Sequence, residues 1–436
     1  MQSSIAIKRH FPELLEMLSQ MPDQRKQPQY KTEELLMAVI AMFLLKRKSR
    51  NNFENTARKG RFETNYVRIF KCKLPDLDTS NDLLKQLPAD HLEKLTCRIV
   101  GLLIRKKVFD KFRYNGLYHK VAVDGTGLYS FNYEPYSGCP KKTSKNGKVT
   151  YTVYVLEAKL VCANGFCISM ATEWVRNPTD GDYDKQDCEL KAFARLSEKI
   201  KHLYPRLPIL ILADGLYPNN TGFDICKKNS WPFIFTFKDG NLKTIWQEVN
   251  LLRPITTGNQ VQWPDQVGKC RIDHKCCFFS NLFYGKHMVH LVETHIRKTK
   301  EDLKTNETVV ELEKFVHISS IHINKDNCKQ ISNMGRLSWV IENQGFNTQK
   351  NGGYNLSHKF SRTSHNASCN YYQCLQIAHM INQLAVLQKS FKKRFYKDDK
   401  ESLMSLEEFA MAIMLVRIVS TKKINKLVES VGQMRY

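Results

Sequence analysis

The sequence predicts an α/β protein with helical ends, and three observations carry that expectation. Between residues 116 and 239, strand-like runs rich in β-branched and aromatic residues alternate with amphipathic helical runs. On either side, over 1–115 and again from 370, the apolar residues recur at helical spacing. Residues 240–322 break the alternation with successive short β-like runs, which predicts an inserted β-rich subdomain.

In the N-terminal block, "TEELLMAVIAMFLL" and "ADHLEKLTCRIVGLLIRKKVF" have helical periodicity, and the basic, polar segment "KRKSRNNFENTARKGRF" at 46–62 lies between them. That combination predicts a helical DNA-binding region over 1–115. From 117 the texture changes. "LYHKVAVDGTGLYSF", "TYTVYVLEAKLVCA" and "GFCISMATEWV" read as strands, with a lysine-rich loop, "CPKKTSKNGK", between the first two. "DYDKQDCELKAFARLSEKIKHLYP" is an amphipathic helix whose first-turn acids, Asp184, Asp187 and Glu189, suit the positive end of the helix dipole. The strand "LPILILADG", a short helix around "FDICKKN" and the strand "PFIFTFK" follow.

Three strands, helix, strand, helix, strand is the order of a ribonuclease H-like mixed sheet with flanking helices, whose later strands arrive by right-handed crossovers. The expected organisation is therefore a core begun over 116–239, the β-rich insertion at 240–322, and a second part of the core at 323–369. That second part opens with a helix over roughly 324–350, stopped by "NGG". A basic helical C-terminal region, 370–436, completes the chain, with "KSFKKRFYK" joining "LQIAHMINQLAVL" to "LEEFAMAIMLVRIV".

Composition narrows the functional classes. With 42% hydrophobic and 25% charged residues among 436, the chain is globular. No run reaches the ~18 apolar residues of a membrane span, and the first residues lack a secretory pattern, so a cytoplasmic location is expected. Thirteen irregularly spaced cysteines read as reduced core residues. The local cluster Cys270, His274, Cys276 and Cys277 lacks a paired CxxC motif, which argues against structural zinc. Lys and Arg outnumber Asp and Glu by 67 to 43, a formal charge of +24, and such a field attracts polyanions, nucleic acid above all.

Two carboxylates stand out. Asp214 ends the apolar run "LPILILAD" and is followed by Gly215; Asp124, in "VAVDGTG", has the same setting. A glycine beside the acid lets a large group approach the backbone. Carboxylates on adjacent strands raise each other's pKa unless a cation lies between them, and a divalent metal is the usual answer. Glu342, in "RLSWVIENQGFN", is the best third acid. At about 100° per residue, Trp339, Glu342 and Phe346 share one side of the expected helix, which predicts a partly desolvated acid in need of a partner.

Here the chain resembles bacterial insertion-sequence transposases of the DDE class, of the cut-and-paste type. The matching stretches are "VAVDGTGLYSF", "VLEAKLVCANGF", "YDKQDCELKAF", "RLPILILADGLYPN", "FIFTFKDGNLKTIWQEV" and "GRLSWVIENQGFNTQKNGGYNLSHKFSR", spanning about 117–362. "DQRKQPQY" and "DTSNDLLKQLP" match more loosely. The resemblance implies that Asp124, Asp214 and Glu342 are catalytic acids that bind two Mg²⁺ ions, with Mn²⁺ as a substitute. It also implies binding to terminal inverted repeats and target DNA, a homodimer in the synaptic complex, and a place on the bacterial nucleoid. Related enzymes often carry Arg four residues before the Glu and Lys seven after it. Ser338 and Gln349 stand there in this chain, with Arg336 and Lys350 close but displaced.

Lys141, Lys142, Lys145, Arg336, Lys350, His358, Lys359 and Arg362 are the expected DNA contacts. Trp246 and Trp263 are candidates for stacking on an unpaired base, although core packing suits each better. Two other readings compete: a metal-dependent nuclease on the same core that never joins strands, and a transposase-derived DNA-binding protein without catalysis.

Overall fold

The computed structural model describes residues 2–178, 187–268, 270–301, 308–388, 403–420 and 422. The chain begins with α1 (Gln2–His10), α2 (Leu14–Ser19), α3 (Thr32–Leu44), α4 (Arg50–Ala57), α5 (Phe62–Phe70), α6 (Leu77–Gln86) and α7 (Ala89–Arg105). Then come β1 (His119–Phe131), β2 (Lys141–Thr143), β3 (Val149–Val161), β4 (Cys167–Val175), α8 (Glu189–Leu203), β5 (Ile209–Ala213), α9 (Asn220–Lys228), β6 (Phe233–Thr236) and α10 (Lys243–Leu252). The strands β7 (Gln260–Val267), β8 (Cys270–Tyr284), β9 (His287–Glu301) and β10 (Thr308–Ser319) precede α11 (Cys328–Gly335), α12 (Thr348–Asn351), α13 (His365–Val386) and α14 (Leu403–Val416). The result is a mixed α/β protein with a mixed, open sheet and flanking helices.

The chain divides into two compact units, and β1 contributes to both. The first comprises Met1–Lys111, Gly125–Ala192 and Glu342–Tyr436. Its scaffold is α13, which packs on α1, α3, α6, α7 and β4. α3 is apolar all round and almost wholly buried, as expected of a helix with neighbours on every side. The sequence suggested a basic region from 370, but α13 is a buried core helix; "KSFKKRFYK" lies outside the described residues. Many of its buried polar side chains bond within the fold. Asn370 Nδ2, for instance, donates to the Leu84 and Leu87 carbonyls, 2.9 and 2.7 Å away, at the C-terminal end of α6. The lysine-rich loop proves to be a hairpin in which β2 pairs antiparallel with β3, Lys141 opposite Tyr151. Gly147 turns it with φ of 73°, a conformation that favours glycine.

The second unit comprises Phe112–Asp124 and Phe193–Ile341. Here the first half of β1 pairs parallel with β5, and β5 pairs parallel with β6. All five residues of β5, "ILILA", are buried, which is why the run is continuously apolar rather than alternating. β10 then adds antiparallel to β6 through His317–Ser319, and β9, β8 and β7 extend the ladder. The strands read as an insertion thus continue the same sheet.

The helix expected over 324–350 is broken. α11 ends at Gly335, a 3₁₀ turn covers Arg336–Ser338, and a π-helical turn covers Ile341–Asn347. Gly335 lies so close to the His317 ring that an added Cβ would stand 2.3–2.5 Å from its atoms, so the helix can seat on β10 only where no side chain intervenes. Among the described residues no helix is long and apolar enough to cross a membrane.

Candidate carboxylate site at the strand ends

β1 and β5 run parallel from His119↔Ile209 to Val123↔Ala213. One residue further along each strand stand Asp124 and Asp214. Neighbouring strands lie about 4.8 Å apart, and in-register parallel residues share a face, so the register carries Asp124, which lies within β1 where its pairing with β5 stops, toward the side of Asp214 at the carboxyl end of β5. Both are half-buried. In open α/β sheets the crevice outside the carboxyl ends of the strands is where ligands bind.

The turn after β5 fixes Asp214. Its Oδ1 accepts from the Leu216 amide at 2.8 Å, and the Tyr217 amide donates to its carbonyl at 3.4 Å, so "DGL" forms a side-chain-supported turn. The second carboxylate oxygen, Oδ2, faces the Lys238 ammonium at 3.6 Å. Lys238 lies just past β6, on the same strand-end edge.

Glu342 has surroundings unlike those expected. It is exposed on the π-helical turn. Trp339 is 45% exposed with its ring edge-on to Phe315, whereas Phe346 is buried beneath the Lys159 ammonium. No aromatic pocket desolvates the acid. The expectation assumed one continuous α-helix, and the break at Gly335 removes the 100° periodicity on which it rested.

The positions flanking Glu342 explain the displaced cations. Ser338, four residues before, is buried and donates to the Gly335 carbonyl at 2.8 Å. Gln349, seven residues after, is fully buried and donates to Gln376 Oε1 at 2.9 Å. Lys350 is the cation that emerges, and its Nζ donates to Thr126 Oγ1 on β1 at 2.7 Å. The Arg336 guanidinium stacks on Phe315, 4.5 Å from the ring centre.

The remaining expected DNA contacts divide by exposure. Lys141, Lys142, Lys145 and Arg362 are exposed. Lys359 covers the Phe131 ring at 4.3 Å. His358 is half-buried against Phe360, and burial, reinforced by Arg362 and Arg50, lowers its pKa. Its ring is therefore neutral at pH 7 and suited to hydrogen bonding rather than to charge neutralisation.

Other candidates are engaged within the fold. Trp246 stacks on Phe237 at 5.1 Å and donates Nε1–H to the Lys238 carbonyl. Trp263 stacks on His274 at 4.8 Å, with the Lys329 ammonium over its ring. Alternation along β8 puts Cys276 and Cys277 on opposite faces, and the free Cys276 thiol neighbours that of Cys328. Among the described residues, no three His, Cys, Asp or Glu side chains form a group that would hold a metal ion by themselves.

Asp184 lies outside the described residues, and its two companions differ from solvated first-turn acids. Asp187 is buried and accepts from the Arg176 and Cys188 amides. Glu189 accepts from the Tyr154 hydroxyl and packs on Gly125, within 2.8 Å of where a Cβ would stand. The "DG" at 124–125 therefore reflects close approach by a side chain. Tyr154, Thr126 and Lys238 are the residues that sequence reasoning missed. Only Lys238 carried a signal, as the first residue of "KDG" after a strand. No protein-family model and no curated protein sequence matches the chain.

Proposed function

We propose that the chain is a DNA transposase of the DDE class with a ribonuclease H-like core, acting on element ends and target DNA. The observation that carries this reading is the β1–β5 register, which runs parallel up to Val123 and Ala213, the residues just before Asp124 and Asp214. The strand order adds support: β4 beside β3, then β3, β1, β5 and β6, with α8 and α9 as the connections between later strands. A charge of +24 adds a field that gathers DNA. Glu342 is assigned as the third acid on sequence resemblance alone.

The donor set suits Mg²⁺. Carboxylate oxygens are hard ligands, and Mg²⁺ is commonly held by one or two carboxylates plus substrate phosphates, with waters filling the other positions. Two aspartates and a phosphate meet that requirement without a preformed group of three protein ligands. The Lys238 ammonium at 3.6 Å shows that the Asp214 carboxylate attracts a cation. Mg²⁺, or Mn²⁺ in its place, supplies Lewis-acid polarisation of the phosphate and of the attacking and leaving oxygens.

The chain's own residues bind and orient. The Leu216 amide fixes the Asp214 carboxylate. Lys141, Lys142, Lys145, Lys350, Lys359 and Arg362 neutralise phosphates, and His358 donates a hydrogen bond. In cleavage a water oxygen bonds to phosphorus while the bond to the leaving 3′-oxygen breaks; the water gives a proton to solvent and the leaving oxygen takes one from it, leaving a 3′-hydroxyl and a 5′-phosphate. In joining, a 3′-hydroxyl takes the place of water, so no covalent protein–DNA bond and no ATP is needed. Two copies act together because two ends are processed.

The test is a joining assay with a 3′-hydroxyl donor end and a supercoiled target plasmid in Mg²⁺. Joined products are expected. Cutting without joining assigns the chain to the nucleases of this fold, and binding without either reaction makes it a non-catalytic DNA-binding protein.

A further inference from the structure

Lys238 lies next to Asp214 for reasons of packing. Its methylene stem runs over Gly215, where a Cβ would stand 2.8–2.9 Å from the lysine's Cγ, Cδ and Cε, so a side chain at 215 would displace the stem from its present path. The backbone at 238 is held from three sides. Asn241 Oδ1 accepts from the Lys238 amide at 2.8 Å, while the Asn241 amide and Trp246 Nε1–H both donate to the Lys238 carbonyl. Asn241 Nδ2 also donates to the Gly215 carbonyl at 2.9 Å, tying the loop after β6 to the loop after β5. This clamp aims one ammonium at one carboxylate edge.

An ion pair whose side chains are 64% and 47% exposed adds little to stability, so the clamp has small value as a device for holding the fold. It has a clear value if the ammonium meets an anion brought from outside. A DNA phosphate brought to this edge competes with the carboxylate for the ammonium even without a metal, and a divalent cation at Asp214 would drive that exchange further.

The geometry points to Lys238 as a phosphate-binding residue of the proposed reaction: it is the counter-ion of Asp214 in the free protein and moves to the DNA backbone beside the scissile phosphate in the complex. This rests on the reading of the Asp124–Asp214 edge as a DNA-processing centre. Because the side chain is exposed, Lys238→Gln folds normally, which its thermal melt checks. Lys238→Arg keeps the charge.

Binding of a short mixed-sequence DNA duplex is measured without divalent ions over a series of KCl concentrations, for the wild type, Lys238→Gln, Lys238→Arg and Asp214→Asn. Lys238→Gln is expected to make the negative slope of log K against log [KCl] shallower by about 0.9, the signature of one lost phosphate contact, and Lys238→Arg to preserve it. Mg²⁺-dependent cleavage by Lys238→Gln is expected to fall at least about tenfold. An unchanged slope with unchanged cleavage overturns the assignment, and Asp214→Asn then separates the two ideas. If Asp214→Asn is inactive, only the role of Lys238 fails. If Asp214→Asn cleaves like the wild type, the catalytic reading fails and the role of Lys238 falls with it.

Discussion

Glu157 and Lys159 stand two positions apart on β3, so they share a face, and both side chains are fully buried with Nζ 3.6 Å from Oε2. The structure satisfies them with neutral partners. Ser169 and Thr172 donate hydroxyl hydrogens to the carboxylate, and the ammonium donates to Gln376 Oε1 at 2.8 Å. Removing one charge alone strands the other in the core. Glu157→Leu is therefore expected to cost about 3–5 kcal/mol in chemical unfolding, and the double change Glu157→Leu with Lys159→Met to recover most of it. A single variant as stable as the wild type contradicts this account. The same network shows why position 349 is glutamine: it bonds to Gln376 and lies 2.9 Å from His379 Nδ1, inside the core where an unpaired lysine would be costly. The sequence revealed a missing lysine; the reason lay in a helix 27 residues further on, which no local pattern reports.

At the scale of elements, the parallel strands were legible because burial on both faces leaves a continuous apolar run, as in "ILILA". Helix continuity from 324 to 350 was not. The α-helix ends at Gly335, which sits against His317 on another element, a contact that no local pattern reports. Strands and helices here also bury histidines. His290 on β9 and His317 on β10 are pushed down to about 4, chiefly by burial, with His322 acting on the first and Arg336 on the second. Burial, with Lys106 and Arg9, lowers His10 on α1 to about 4, and burial with Lys159 and Lys46 holds His379 on α13 well below its ordinary value. Each stays neutral when folded but takes a proton near pH 6.5 when unfolded. The stability they contribute is complete above about 6.5 and is lost as pH falls toward about 4, at up to about 1.4 kcal/mol per pH unit for each group. The thermal transition is expected to fall steadily across that window; a flat midpoint contradicts the assignment of neutral buried histidines.

For the molecule as a whole, the two apolar runs that precede Asp124 and Asp214 were readable as strands, and they pair parallel in register up to Val123 and Ala213. The setting of Glu342 was not readable, since it depends on a helix that changes type within a few residues. Charge could be counted in the sequence but not located. The fold divides the basic residues into exposed ones such as Lys141, Lys142 and Arg362 and packed ones such as Lys159 and Lys359. The central claim is that the two aspartates form one cation-dependent DNA-processing edge. Its most direct test compares Mg²⁺-dependent cleavage of end DNA, and end binding in chelator, for the wild type, Asp124→Asn, Asp214→Asn and Glu342→Gln. The account predicts that each substitution abolishes cleavage while leaving binding largely intact. Full cleavage by Asp124→Asn or Asp214→Asn would contradict it.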